Sequence, residues 1–293
     1  MKYQYVLKIL IPLIAILAII SAGIGLFYKT EGKPYAFTSH RGEEVMINGR
    51  GLYYYDTISS AAQQQGNDMV TLAVGVPLLV ISSWLAFRGS LRGKLLLTGT
   101  LGFFLYTYMS MSMLTMFNKL FLVYVALFGL SLYAFIFCLM SFDLRSLPQQ
   151  FSPHLPRGWI AGLLFAVSAF LLTAWLGLIL PAVFQNKVPA LQNTTTFVIQ
   201  AMDLTLIAPL AVLAGILLLR RSAWGYLLAS VFVMKTIALG LAVSMMSINM
   251  TLAGVPDSLA IMVPFLVITI ANLFAAMSLL KNVIEPAKGD ITV

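Results

Sequence analysis

At 293 residues, with 60% hydrophobic and 10% charged side chains, the chain lies far outside the range of soluble globular domains, where about a quarter of residues carry charge. Its net charge of +8 invites a nucleic-acid reading, but the charges fall between long apolar runs rather than in a basic patch. One cysteine, Cys138, excludes an intrachain disulfide and any cysteine-cluster metal site.

A helix needs about 20 predominantly apolar residues to cross the hydrocarbon layer. In chain order the runs that qualify are 9–27, 70–87, 95–113, 120–140, 159–183, 197–219, 224–246 and 259–280. Barrel strands would be about half as long and would alternate in polarity, which these runs do not. The expectation is an all-α polytopic membrane protein with eight transmembrane helices. The first run follows Lys2 and Lys8 and contains Ser21, Ala22 and Gly23, as a signal peptide would. Its apolar core exceeds the usual length of about 7 to 15 residues, so it reads as an uncleaved span.

Between the first two spans lies the one sizeable polar region, the outer loop 28–67. Residues 43–47 and 51–55 look like short strands around Asn48-Gly49, a pair favoured in tight hairpins. Asp56-Thr57 then reads as the N-cap of a short interfacial helix over 58–65, with Gly66 as its stop and Asn67 or Asp68 capping the second span. Tyr55, Asp56 and Asp68 are the loop's candidate contact residues. The third and fourth spans are separated only by the Asn118-Lys119 corner. Residues 142–157, with Pro148, Pro153 and Pro156, read as an extended cytoplasmic linker.

Comparison of the chain with itself at an offset of 132 residues aligns Pro77 with Pro209, Arg88 with Arg220, Ser90 with Ser222 and Gly93 with Gly225. This suggests a 4+4 tandem repeat: residues 1–141 form one four-helix unit and residues 158–293 the other. An even number of spans per copy gives both copies the same topology, related by an axis along the membrane normal. Pro77 and Pro209 would each remove a backbone hydrogen bond and favour a kink, either shaping a central site or only curving the helix.

With the N-terminus inside, the cytoplasmic segments hold Lys2, Lys8, the cluster Arg88 to Lys94, Arg145, Arg157, Arg220, Arg221, Lys281 and Lys288, against Asp143, Glu285 and Asp290. The outer segments pair Lys29, Lys33, Arg41, Arg50, Lys119 and Lys187 with as many carboxylates, Asp257 among them. The positive-inside bias therefore places both termini in the cytoplasm. The net charge is topological and points to anionic inner-leaflet lipid, with no nucleic acid implied. A protein partner or a homo-oligomer is compatible with this arrangement. The acceptor triplets at Asn193 and Asn249 fit coincidence better than glycosylation in a chain of bacterial type.

Lys235 stands near the middle of the seventh span, where a lysine costs about 2.5–3.5 kcal/mol on insertion scales and normally faces a cavity or a partner. It either takes part in binding, coupling or gating, or is a structural lysine satisfied by neighbours. Asp203, about two turns into the sixth span, is its only intramembrane carboxylate candidate. Side chains lean toward the N-terminus of their own helix, which draws the two apart in antiparallel spans and favours separate or water-bridged roles over a direct salt bridge. An eight-span chain fits poorly with a retinal-type lysine. Met109, Met113 and Met116 share one helical face and could form a thioether site for Cu(I), but methionine is also ordinary filler of irregular contacts. Tyr53 to Tyr55, Trp159, Trp175 and Trp224 read as interface anchors or packing residues. His40 and His154 fall on opposite sides of the membrane. No acid, base and nucleophile set converges, and no residue pattern calls for a metal or cofactor.

Tyr55-Asp56, Asp68 to Thr71, Pro77-Leu78, Arg88-Gly89-Ser90-Leu91-Arg92-Gly93 and Arg220 to Tyr226 together resemble a functionally uncharacterised group of bacterial multi-pass membrane proteins. The resemblance runs over the whole chain. It implies a bacterial cell membrane and carries no site residue. The leading functional expectation is small-solute or ion transport through a central path containing Lys235, Asp203, Pro77 and Pro209. The alternative is a membrane sensor or assembly subunit that binds a ligand or partner through the outer loop, and a membrane enzyme ranks third.

Overall fold

The structure is a computed structural model that describes residues 2–185, 187–189, 191–256 and 258–285. Asp257, Lys288 and Asp290, which enter the charge reading above, lie outside the described residues. Apart from two short strands the fold is helical. In chain order the helices are α1 (Gln4–Phe27), α2 (Ile58–Phe87), α3 (Leu91–Leu114), α4 (Phe121–Met140), α5 (Arg157–Phe184), α6 (Val198–Leu219), α7 (Ala223–Leu252) and α8 (Ser258–Lys281). Seven of them, all but α3, contain a stretch long and apolar enough to cross a membrane, and the chain is accordingly a membrane protein. Apolar side chains such as Val263, Val267, Ile270 and Phe274 on α8 are exposed, as a lipid-facing surface requires.

Helix α3 matches α1 in length, at 24 residues, but is richer in Gly, Ser, Thr and Tyr. Four of its hydroxyls are satisfied by carbonyls of the same helix: Thr98 donates to Lys94 O, Thr100 to Leu96 O, Ser110 to Thr107 O and Ser112 to Met109 O. This suits its position, because α3 is largely buried and packs lengthwise on α7, the other central helix. Close approach is possible at Gly99, where an added Cβ would collide with Met234 Cβ and lie 3.1 Å from Lys235 N. Around this pair, α1 and α4 pack with α2 and α3, while α6 and α8 pack on α7 and α5 covers α6.

Helices α2 and α6 are interrupted by π-helical segments, Thr71–Gly75 and Asp203–Ile207, which start 132 residues apart. Pro77 and Pro209 follow two residues after each segment. Proline withholds a donor from the ladder and crowds the carbonyl of the preceding turn; here the backbone widens, with Val76 N donating to Thr71 O and Ala208 N to Asp203 O. The expected kink thus takes the form of a π-bulge, one of the recognised causes of helix bending. The following turns also correspond, with Ser90 Oγ accepting from Gly93 N and Ser222 Oγ from Gly225 N, both at 3.1 Å.

The loop differs from expectation in two respects. Strand β2 (Glu44–Ile47) pairs antiparallel with β1 (Tyr35–Thr38), which precedes it, not with residues 51–55. Asn48-Gly49 does turn the chain, with Gly49 at φ +66°, but Asn48 Nδ2 donates to the Arg50 and Tyr53 carbonyls, rolling residues 50–55 into turns. Across this turn Asn48 N donates to Asp56 O and Gly49 N to Tyr54 O, and Ile47 bridges Thr57. Second, no separate interfacial helix forms. Thr57 caps α2 as expected, accepting from Ser60 N at 3.1 Å, but the helix runs through Gly66 to Phe87. Gly66 serves close packing, since a Cβ there would lie 2.6 Å from Met246 N on α7. Asp68 therefore belongs to a buried helix, not to the loop.

The linker is packed, not loose. Leu147, Phe151 and Leu155 are buried, Phe151 bridges Val283, and Ser152 N donates to Asn282 O. At the same end Glu285 caps α3, accepting from Ser90 Oγ, Leu91 N and Arg92 N at 2.8, 2.7 and 3.1 Å.

Candidate functional site

One cavity of about 280 Å³ is walled by α2, α3, α5, α6, α7 and α8. Along α7 its lining follows the helical repeat from Phe232 and Lys235 through Leu239, Val243 and Met246 to Met250. At 1.5 Å per residue that is a run of about 27 Å. Gln63, Gln64, Asn67 and Ser110 form a polar rim toward the loop end. Val167, Phe170 and Leu171 of α5 face Phe265 and Ile268 of α8 across the apolar middle, and Phe170 and Phe265 meet edge to face at 5.5 Å.

Lys235 and Asp203 both line this cavity but do not form a salt bridge. Among the described residues the only ion pair within 4 Å is Arg92 with Glu285, at 3.9 Å. Tyr106 of α3 stands between the two charges. Its hydroxyl donates to Asp203 Oδ1 at 2.7 Å, and Lys235 Nζ lies 4.2 Å from the centre of its ring. A carboxylate that accepts the phenol proton enriches the ring in electron density, which strengthens the attraction of its face for a cation. Trp175 Nε1 donates to Asp203 Oδ2 at 2.9 Å, so both carboxylate oxygens are engaged.

Lys235 is 7% exposed, and its Nζ has no hydrogen-bond partner among the described residues. The Thr107 hydroxyl, also on the cavity wall, is likewise buried and unpartnered. Three ammonium donors on the wall of a cavity, with no acceptor bonded to them among the described residues, form an arrangement poised for an exogenous group. The π-bulge sets the other side of the site, because Asp203 is its first residue.

The remaining sequence candidates are dispersed. Pro77 and Pro209 do not line the cavity; the bulge before Pro209 contributes Asp203 and Ile207 to its wall, whereas the one before Pro77 contributes none of its lining residues. Asp68 faces away from it, toward α1 at Gly25, and accepts from Tyr53 Oη at 2.6 Å. Asp56 is buried below the loop, accepting from Ser60 Oγ at 2.9 Å and Met116 N at 3.3 Å. Burial pushes its carboxyl up to about 6, against the opposing pull of those hydrogen bonds. Tyr55 is exposed, and its carbonyl accepts from Asn193 Nδ2 at 3.5 Å. Of the methionines on α3, Met111 is the fully buried one, against Asn67 Nδ2 at 3.9 Å. No group of three or more His, Cys, Asp or Glu side chains that could hold a metal ion occurs among the described residues.

Tyr106 and Trp175 were not legible as site residues from spacing. The available signal was chemical: a phenol or indole at membrane depth requires an acceptor, and Asp203 was the intramembrane carboxylate at hand. Comparison with protein-family models, curated proteins and solved structures finds no significant match to this chain.

Proposed function

We propose that the chain transports a small solute or ion across a bacterial cell membrane, by way of the cavity that contains Lys235. The observation that carries this reading is the buried, unpartnered Lys235 ammonium on the wall of a cavity extending toward the loop end. Intramembrane lysines that face a cavity mark substrate and ion pathways more often than lipid contacts. The two halves are related as a 4+4 parallel repeat with eight spans, a reading supported by the matching π-bulges, prolines and serine caps at an offset of 132 residues. Only one half carries the charges, since Thr71 occupies the place of Asp203 and Phe103 that of Lys235, so the path is asymmetric. Both termini are cytoplasmic, and Arg88, Arg92, Arg220 and Arg221 meet anionic inner-leaflet lipid.

The test is Lys235→Cys in a Cys138→Ser background, exposed to a small charged thiol reagent from each face in turn. Labelling within minutes from the loop face, and much more slowly from the other, is the expected result. A correctly folded variant that resists the reagent from both faces removes the transport reading. One observation favours the sensor or assembly alternative: the loop is clasped to the second half through Gln192, whose N–H donates to Glu43 Oε2 at 3.0 Å and whose Oε1 accepts from Thr57 Oγ1 at 3.0 Å. In that case, loop changes rather than Lys235 changes abolish function.

A further inference from the structure

We infer that the cavity binds an amphiphilic monoanion, a compact apolar body ending in a carboxylate that seats on Lys235 Nζ. This rests on the cavity being the binding site of the transport reading, and it adds the chemical class of the ligand.

The sign follows from how the buried charges are used. Asp203 accepts from Tyr106 on one oxygen and from Trp175 on the other, so each of its oxygens already has a donor from the protein. Lys235 Nζ has no hydrogen-bond partner among the described residues and lies over the face of Tyr106, 4.2 Å from the ring centre. A desolvated charge is costly to leave unpaired, and the group that relieves it best is an anionic acceptor. A cationic ligand would face the ammonium at close range, whereas a neutral one would forgo the charge-assisted bond. The Thr107 hydroxyl is a second unpartnered donor on the same wall.

The body follows from the walls and the size. Phe170, Leu171, Leu239, Val243, Phe265 and Ile268 present an apolar surface across the middle, the amides Gln63, Gln64 and Asn67 lie at the loop-end rim, and the Thr236 and Ser247 hydroxyls donate to their own helix. An apolar cavity of about 150 Å³ takes up benzene; at about 280 Å³ this one accommodates a ring with a short chain, or a medium-length acyl chain. The first would come from water and the second from the bilayer, and the shared chemistry is the carboxylate on an apolar stem.

The experiment is isothermal titration of the full chain in lipid nanodiscs with 4-phenylbutyrate, decanoate, 4-phenylbutan-1-ol and 4-phenylbutylamine. On the unmodified protein, at least one carboxylate should bind about tenfold or more tighter than the alcohol, in line with a hydrogen bond to a charged group, and the amine weakest of all. Tighter binding of 4-phenylbutyrate assigns an aqueous source, and tighter binding of decanoate a bilayer source. Lys235→Met should abolish the preference for carboxylate while retaining the alcohol's weak binding, and Lys235→Arg should keep it. Equal affinities for carboxylate and alcohol on the unmodified protein, or no binding of either carboxylate, overturn the inference without recourse to the variants. Charge-selective binding without uptake into proteoliposomes would instead leave this inference standing and remove the transport reading.

Discussion

Asp56 shows how a residue chosen from sequence for contact with a ligand can turn out to be a structural acid. It lies under the loop, 2% exposed, with Oδ1 holding Ser60 and the Met116 amide while Oδ2 is buried and unpartnered among the described residues. Burial raises this carboxyl from its ordinary value of 3.8 to about 6 in the folded protein, so between those values the folded protein binds more protons than the unfolded one. Stability from this group therefore rises as pH falls through about 6 and levels off below about 4. The thermal midpoint, followed by intrinsic fluorescence, should increase from neutral pH to about pH 5. Asp56→Asn should raise the midpoint at neutral pH by a few degrees and flatten its pH dependence between those limits; an unchanged pH dependence would show that the carboxyl is solvated in the working protein. At the same scale Lys235 and Asp203 were visible in the sequence because charge is rare in apolar runs. Tyr106, which separates them, was hidden because an aromatic residue in a membrane helix carries no spacing signal.

Among the elements, apolar length located most helices to within a few residues. It failed where a helix is polar for a packing reason. Residues 63–68, Gln-Gln-Gln-Gly-Asn-Asp, interrupt the hydropathy of α2 and read as the end of a short interfacial helix, its glycine stop and the cap of the next span, yet Gln64, Gly66, Asn67 and Asp68 are buried between neighbouring helices. Periodicity cannot tell a polar helix inside a bundle from a polar turn outside it. The strand pairing was missed for a related reason, since an Asn-Gly pair specifies a turn but not which flanking run returns to the sheet. Gly66 offers a direct check on the extended helix. Gly66→Ala places a methyl 2.6 Å from Met246 N and must force α2 and α7 apart, at a cost of about 1–3 kcal/mol. Gly129→Ala on α4, where a Cβ has nothing within 4 Å, should be neutral or slightly stabilising by helix propensity. Thermal midpoints of the two variants measured side by side should therefore move in opposite directions, or only the first should fall.

For the whole molecule the question is whether α3 crosses the membrane with the other seven, because an even number of crossings leaves both chain ends on one face and an odd number separates them. Hydropathy alone leaves α3 out, but α3 is enclosed by its neighbours and turns four of its hydroxyls back onto its own carbonyls, so it does not need the apolar surface of a lipid-facing helix. Contacts at its two ends bear on the same point. Its start is bound to Glu285, beside the linker and Val283, whereas the Met116 amide just past its end is bound to Asp56 beneath the loop. Tyr3 packs on Phe137 and Lys8 lies over Phe87, which puts the start of α1 at the linker end, together with Glu285. These contacts support the proposal of eight crossings with both ends on one face, and Arg88, Arg92, Arg220 and Arg221 are the basic clusters that the positive-inside rule would assign to a cytoplasmic side. In sealed inner-membrane vesicles, epitope tags placed ahead of Lys2 and beyond residue 285 should both be open to an impermeant protease on the cytoplasmic face, while a tag between β1 and β2 should be protected. If the two terminal tags respond on opposite faces, α3 does not cross and the parallel relation of the halves is lost with it.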